Sequence, residues 1–297
     1  MNTEINNLIN FPNLIIAGVA HGGTTSLFTY LSSHPEICAS KIKETHYFRP
    51  IIGGGNLAPI QEYHFFFQHH QNEQYIMESG PGYLFGGRKL ATLLKEMLGE
   101  IKLLFILREP VARLYSCFKH SSKSLVIENI SFHEFVESLS GQLHGPEFHK
   151  LQDSEAQVAT GLDSGYYERY LQEWYTVFEE QSMKVVFFDD LKEKPHELVK
   201  DIYQWLSIDS CSTTVYTQEN KGFYYKNKFI HKLAINFNAK FEPFFRTYPA
   251  LKLILKKIYM LNAQENPFPL DDTTKEYLKK LYAPQNNKLY SLLISKG

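Results

Sequence analysis

Short, wholly apolar runs that stop abruptly and give way to helical patterning constrain this chain more than any other feature. Residues 13–18 read Asn13-Leu14-Ile15-Ile16-Ala17-Gly18, and the helical pattern resumes at Thr24. Residues 101–107, Ile-Lys-Leu-Leu-Phe-Ile-Leu, end in Arg108-Glu109-Pro110 and lead into another helical stretch. A third run at 183–188 ends in Asp189-Asp190, and 75–78 is a weaker fourth. Amphipathic stretches at 90–98, 166–178 and 195–206 lie between them. A strand that is apolar on both faces needs cover on both faces, so strands of this kind alternating with helices predict a parallel sheet sandwiched between helical layers. The expected fold is a three-layer α/β/α arrangement around a central, mainly parallel sheet. No internal repeat or clear linker divides the chain, because the glycines at 53–55 and the stretch 207–217 read as loops. A single domain spanning 1–297 is expected.

Composition narrows the function classes. Over 297 residues the formal net charge is -1, so no global field favours nucleic acid or an anionic surface, and any anion site must be local. Cys38, Cys117 and Cys211 are far apart and in no CxxC pair, which fits neither a zinc site nor a disulfide framework and suits a reducing compartment. The first residues, Met1-Asn2-Thr3-Glu4, lack the basic and apolar regions of a leader, and no apolar run approaches the roughly 20 residues of a membrane span. A cytoplasmic setting is expected, without a transmembrane segment and with no nucleic-acid partner. The histidines of 63–70 carry no carboxylate or cysteine at ligand spacing. That stretch reads as a helix with core phenylalanines, and no metal is expected.

The segment Gly18-Val19-Ala20-His21-Gly22-Gly23-Thr24-Thr25-Ser26-Leu27 carries the chemistry. Glycines let the backbone turn sharply after a strand, so that N–H groups and the next helix N-terminus converge on one point. This is a phosphate-binding geometry of the P-loop kind. Thr24, Thr25 and Ser26 add hydroxyls at the first helical turn. A plain turn with a capped helix would use the same residues, but the preceding strand favours the anion site. Gly18 and Gly23 have the spacing of a nucleoside-triphosphatase loop, yet Thr24 stands where such a loop needs lysine. A kinase or NTPase is the less favoured alternative, although 187–190 has the look of the acidic strand end that such enzymes use.

These residues resemble the sulfotransferases that use 3'-phosphoadenosine 5'-phosphosulfate (PAPS), and within them the heparan sulfate 3-O- and N-sulfotransferase branch with its bacterial relatives. The resemblance implies that Gly22, Gly23, Thr24, Thr25 and Ser26 hold the 5'-phosphosulfate. Arg108, followed eight positions later by Ser116, is similar to the family's 3'-phosphate motif; guanidinium and hydroxyl together suit a dianion that ATP lacks. Asn220-Lys221-Gly222-Phe223-Tyr224 is similar to the loop that closes over the nucleotide, with Lys221 near the 3'-phosphate and Phe223 against the adenine. Ser164-Gly165-Tyr166-Tyr167 is similar to a further cofactor-side segment, and 278–293, with Tyr282, Pro284 and Asn287, to the closing helix. Together the likeness spans about 13–224 and 271–293. PAPS as co-substrate and 3'-phosphoadenosine 5'-phosphate (PAP) as product are what it implies.

The stretch 41–48, with Lys41, Lys43, Glu44 and His46, resembles the segment in which the 3-O-sulfotransferases carry their base. Glu44 is expected as base, with His46 orienting it or touching the acceptor; a solvated charged loop is the bland reading of the same residues. His21 and Ser79 depart from the family, which usually has lysine or arginine at the first position and often lysine at the second. His21 would then face the bridging oxygen, while Lys41 or Lys43 would supply charge from the acceptor side. The two departures also fit a nucleotide-binding relative without turnover. Residues 225–270 exceed what the resemblance predicts and read as an acceptor-side helical insertion. From 226 to 257 there are seven Lys and one Arg against Glu242 alone. This stretch would recognise an anionic acceptor, lie against anionic lipid, or pack Leu251, Leu255 and Ile258 on the core as a solvated basic helix. The expected acceptor is a hydroxyl or amine of a small molecule or carbohydrate.

Overall fold

Strand β1, Leu14–Gly18, is buried at every position. It lies at the centre of a five-stranded sheet with β2 (Ile37–Ala39), β3 (Tyr75–Ser79), β4 (Lys102–Leu107) and β5 (Met183–Phe187), in the order β2-β3-β1-β4-β5. Every neighbouring pair is parallel. This is a computed structural model that describes residues 11–128, 130–140, 160–211, 224–241, 244–245, 249–264 and 268–296.

Alternation along the strands separates two cores. Ile15, Ala17, Leu103, Phe105 and Leu107 point to one face, and Leu14, Ile16, Met77, Leu104 and Ile106 to the other. On the first face, helices α4 (Gly87–Leu98) and α7 (Tyr167–Tyr175) bring Leu90, Leu94, Leu171 and Trp174. On the second, α1 (Thr24–Leu31) and α9 (Pro195–Leu206) bring Leu27, Leu31, Val199 and Ile202. The expected three-layer fold is therefore present. Each such side chain, buried to near completion, contributes about 1.5–3 kcal/mol. Short helices α2 (Arg49–Ile52) and α3 (Ile60–His64) cross the first face, and α8 (Phe188–Glu193) follows β5 directly.

A third cluster joins α5 (Pro110–Lys123), α6 (Phe132–Ser140) and α12 (Asp272–Lys296) through Leu114, Phe118, Phe132, Phe135, Leu278 and Tyr282. Beyond the sheet, β6 (Tyr224–Tyr225) and β7 (Ala263–Gln264) pair antiparallel and bracket helices α10 (Lys228–Lys240) and α11 (Pro249–Tyr259). Among the described residues no helix is long and apolar enough to cross a membrane.

Two of the sequence expectations change. The edge strand β2 was not anticipated, because it is three residues long and is followed at once by the polar Ser40-Lys41. The 63–70 stretch is only part core: Tyr63 and Phe67 are buried, whereas Phe65 is exposed.

Topology sets where a ligand can sit. In a parallel sheet all the carboxyl ends share one edge. The chain extends the sheet on the β3 side of β1, then crosses to β4 on the other side, leaving a crevice at the ends of β1 and β4.

Candidate functional site

The loop after β1 lines that crevice. The Val19 N–H donates to the Ile106 carbonyl and the Gly22 N–H to the Val19 carbonyl, both at 2.9 Å. The turn is thereby pressed against β4. A Cβ on Gly22 would lie 2.7 Å from the Ile106 carbonyl oxygen, so no side chain fits. Gly23 opens α1 with φ 100°, and a Cβ there would meet the Phe188 ring at 2.7 Å. No side chain caps α1, so its first-turn N–H groups lack intrahelical acceptors and point, with the positive end of the dipole, into the crevice. Thr24 is buried beside them, and Thr25 and Ser26 are half-buried.

Arg108, at the end of β4, reaches the same place. Its Nη1 donates to the His21 carbonyl at 3.0 Å, and its guanidinium lies 4.4 Å from the Phe188 ring centre. Glu109 is not its salt-bridge partner: that carboxylate caps α5, accepting from the Val111 and Ala112 N–H groups at 2.9 and 2.7 Å. Arg108 Nε is buried and has no hydrogen-bond partner among the described residues. Burial lowers the Arg108 pKa, with Tyr167 and Asp189 opposing it. Tyr167 stands behind this turn, its hydroxyl donating to the Arg108 carbonyl at 2.8 Å, and burial pushes its pKa up to about 12. Ser116 is half-buried two turns into α5. One turn further, burial and then the Arg108 charge lower the Lys119 pKa, and its ammonium lies 4.9 Å from the Tyr115 ring centre.

The 41–48 loop forms the third wall. Glu44 is half-exposed, pairs with Lys43, and acts electrostatically on His46, Arg49 and His120. Its neighbour Thr45 is buried and donates to the carboxylate of Glu78 on β3, which also accepts from the Tyr63 and Tyr83 hydroxyls. Burial raises the Glu78 pKa, and the three hydroxyl bonds pull it the other way. This buried carboxylate pins the loop that carries Glu44. Lys41 lies over the Phe65 ring at 4.3 Å.

His21 and His46 both adopt left-handed backbone, with φ 66° and 58°. For a residue other than glycine this stores on the order of 1–3 kcal/mol, strain that clusters at functional sites. The His21 ring faces His120 on α5, with ring centres 5.4 Å apart. Partial desolvation lowers the His120 pKa, Lys123 adds to that, and Glu44 opposes it. Sequence reasoning missed His120, Lys119 and Glu78. Lys119 and His120 lie three and four residues beyond Ser116, about one turn along α5, a spacing that only helical geometry turns to the same face. Lys221, Gly222 and Phe223 lie outside the described residues. Ser79 is buried at the end of β3, its hydroxyl without a hydrogen-bond partner among the described residues. No cluster of metal-ligating side chains occurs among the described residues.

A parallel α/β sheet with a glycine turn and an arginine converging at its switch point is the arrangement in which such folds place their ligands. Comparison with known proteins narrows this. The sulfotransferase domain family matches residues 11–248, and the chain belongs to that family. It is 23% identical over 222 residues to the bifunctional heparan sulfate N-deacetylase/N-sulfotransferase 1 of Caenorhabditis briggsae, covering 72% of this chain and 25% of that protein. Human heparan sulfate glucosamine 3-O-sulfotransferase 5 is 26% identical over 215 residues, covering 72% of this chain and 59% of that protein. The chain thus spans about a quarter of the first of these relatives. Among solved structures, a sulfotransferase from Alicyclobacillus acidocaldarius shares the fold with a TM-score of 0.61 and 23% identity, over 82% of this chain and 96% of that one.

Proposed function

We propose that the chain transfers a sulfonate group from PAPS to a hydroxyl or amine of a small-molecule or carbohydrate acceptor. The observation that carries this reading is the 3.0 Å bond from Arg108 to the His21 carbonyl, which gives the two anion pockets a common wall. A nucleotide phosphorylated at both ends of its ribose spans such a pair of pockets. The buried Arg108 Nε, lacking an acceptor among the described residues, is the donor a 3'-phosphate would satisfy.

In this reading Gly22, Gly23, Thr24, Thr25 and Ser26 hold the 5' end, Arg108, Ser116 and Lys119 the 3' end, and Tyr167 fixes the Arg108 turn from behind. Lys221, Gly222 and Phe223 are assigned to the closing loop. The Glu44 carboxylate takes the acceptor proton as the acceptor oxygen or nitrogen bonds to sulfur. The sulfur–oxygen bond to the 5'-phosphate breaks, and PAP leaves with that bonding pair. In the same reading His21, with the His120 ring 5.4 Å away, donates to the departing oxygen, and His46 orients the acceptor.

The test is calorimetric titration with PAP, ADP and ATP-Mg. PAP should bind well above ADP, and the difference should vanish in Arg108→Ala. Equal binding of ADP, or stabilisation by ATP-Mg alone, would overturn the reading. A second reading, a PAP-binding relative without turnover, is favoured by His21 and Ser79 standing where the family usually has cations. Radiolabelled PAPS incubated with sugars, phenols and small alcohols separates the two: label transfer excludes the second.

A further inference from the structure

Helices α10 and α11 present apolar side chains to solvent on a scale unmatched elsewhere among the described residues. Leu251, Ile254, Ile258 and Leu261 recur at helical spacing along α11 and just past its end, and the last three are 55%, 59% and 78% exposed. Along α10 and beyond it, Ile230, Leu233, Phe237, Phe241 and Phe244 form a second exposed stripe, with Phe229 beside it at 71%. Of the alternative in which Leu251, Leu255 and Ile258 pack on the core, Leu251 and Ile258 do not fit, being exposed, while Leu255 is half-buried. The pair is held instead at one end. His231 donates to the Lys123 carbonyl at 2.6 Å and accepts from the Tyr259 hydroxyl, and the Asn227 N–H donates to Asn262 Oδ1 at 2.8 Å.

Lysines surround both stripes: Lys226, Lys228, Lys232, Lys240, Lys256 and Lys257 are all exposed. From 226 to 257 the sequence sets seven Lys and one Arg against Glu242 alone, in a chain of net charge -1. Protruding aliphatic and aromatic side chains ringed by lysine match an interface that is apolar inside and anionic at its surface. A second copy of the chain fits less well, since a twofold contact would set lysine against lysine.

We propose that α10 and α11 dock the protein onto an anionic lipid bilayer, with the two apolar stripes entering the headgroup region and the lysines meeting lipid phosphates and carboxylates. The surface adjoins the last turn of α5, through the His231 bond to Lys123. The same helix carries Ser116 and His120, so docking holds the candidate site beside the bilayer. The proposal stands apart from the assignment of the nucleotide.

Vesicle flotation tests it. The wild-type chain should float with vesicles of phosphatidylcholine mixed with phosphatidylserine, far less with phosphatidylcholine alone, and less as salt rises. Ile258→Asp with Leu261→Asp should lower the bound fraction at least about tenfold, since an ionised side chain is expelled from the apolar layer. Lys256→Glu with Lys257→Glu should lower partitioning by about fivefold or more for each lysine lost. Failure of the wild type to float with anionic vesicles overturns the proposal. So does undiminished flotation of both variants, or a stable dimer that the aspartate variant converts to monomer without vesicle binding by either. PAP titration and thermal melts on the same variants should match wild type, so a failure here is separable from a failure of the nucleotide reading.

Discussion

The crevice at the end of β1 and β4 and the helical pair α10–α11 draw on the same residue types and use them in opposite ways. At the crevice, Ile106, Leu107, Leu104 and Phe105 are buried to within 1% of completion, and their packing holds Gly22 and Arg108 in place. On the pair, isoleucine, leucine and phenylalanine stand in water. Hydrophobic content alone does not distinguish a scaffold from a contact surface; the neighbours each side chain finds do.

Substituting one residue from each region tests that contrast most directly. Phe105→Ala should cost about 3–5 kcal/mol of folding stability, because it empties a packed site. Ile258→Ala, on the exposed stripe, should stay within about 0.5 kcal/mol. Chemical denaturation measures both, and comparable losses would mean that the pair is buried in solution. Glu44→Gln should lower turnover by about 10²–10⁴-fold, as expected for loss of a general base. PAP affinity in that variant should be unchanged. A variant that loses nucleotide binding instead would move Glu44 out of the base role. Arg108→Ala should weaken PAP by on the order of 2–4 kcal/mol while leaving ADP nearly unaffected, as for a truncated charge-assisted contact.

The smallest effect concerns pH. Burial holds His46 and His120 below the ordinary imidazole value. The unfolded chain titrates these groups near 6.5, so below about that pH it binds protons that the folded chain refuses. Stability should therefore fall as pH drops through that window and level off once the folded values are passed. Melting curves across it should flatten in a His46→Asn/His120→Asn variant.

Much of the architecture was legible because β1 and all but the first residue of β4 are apolar, β5 is broken only by Lys184, and the glycine turn follows β1 at once. Strand β2 was not, since three residues at a sheet edge carry too little pattern. At the site, Gly22 and Gly23 could be read from local sequence, because a sharp turn between a strand and a helix calls for glycine, whereas Arg108 stood out only through the family resemblance. The Glu78 cluster could not: Thr45, Tyr63 and Tyr83 are ordinary residues until the fold sets them around one carboxylate. Lys119 and His120 were hidden for a related reason, since a charged helix surface has the same composition whether it faces solvent or a cleft. For 226–257 the sequence left core packing open against an anionic acceptor or lipid, and the exposure of Ile254 and Ile258 speaks against the packing.

Helix α5 starts at the Arg108 turn and finishes at the Lys123 carbonyl that His231 grips. It is about 20 Å long, at 1.5 Å per residue, with the proposed anion site at its head and a greasy, basic surface at its foot. Should both proposals hold, one helix length is all that would separate the bound nucleotide from the bilayer.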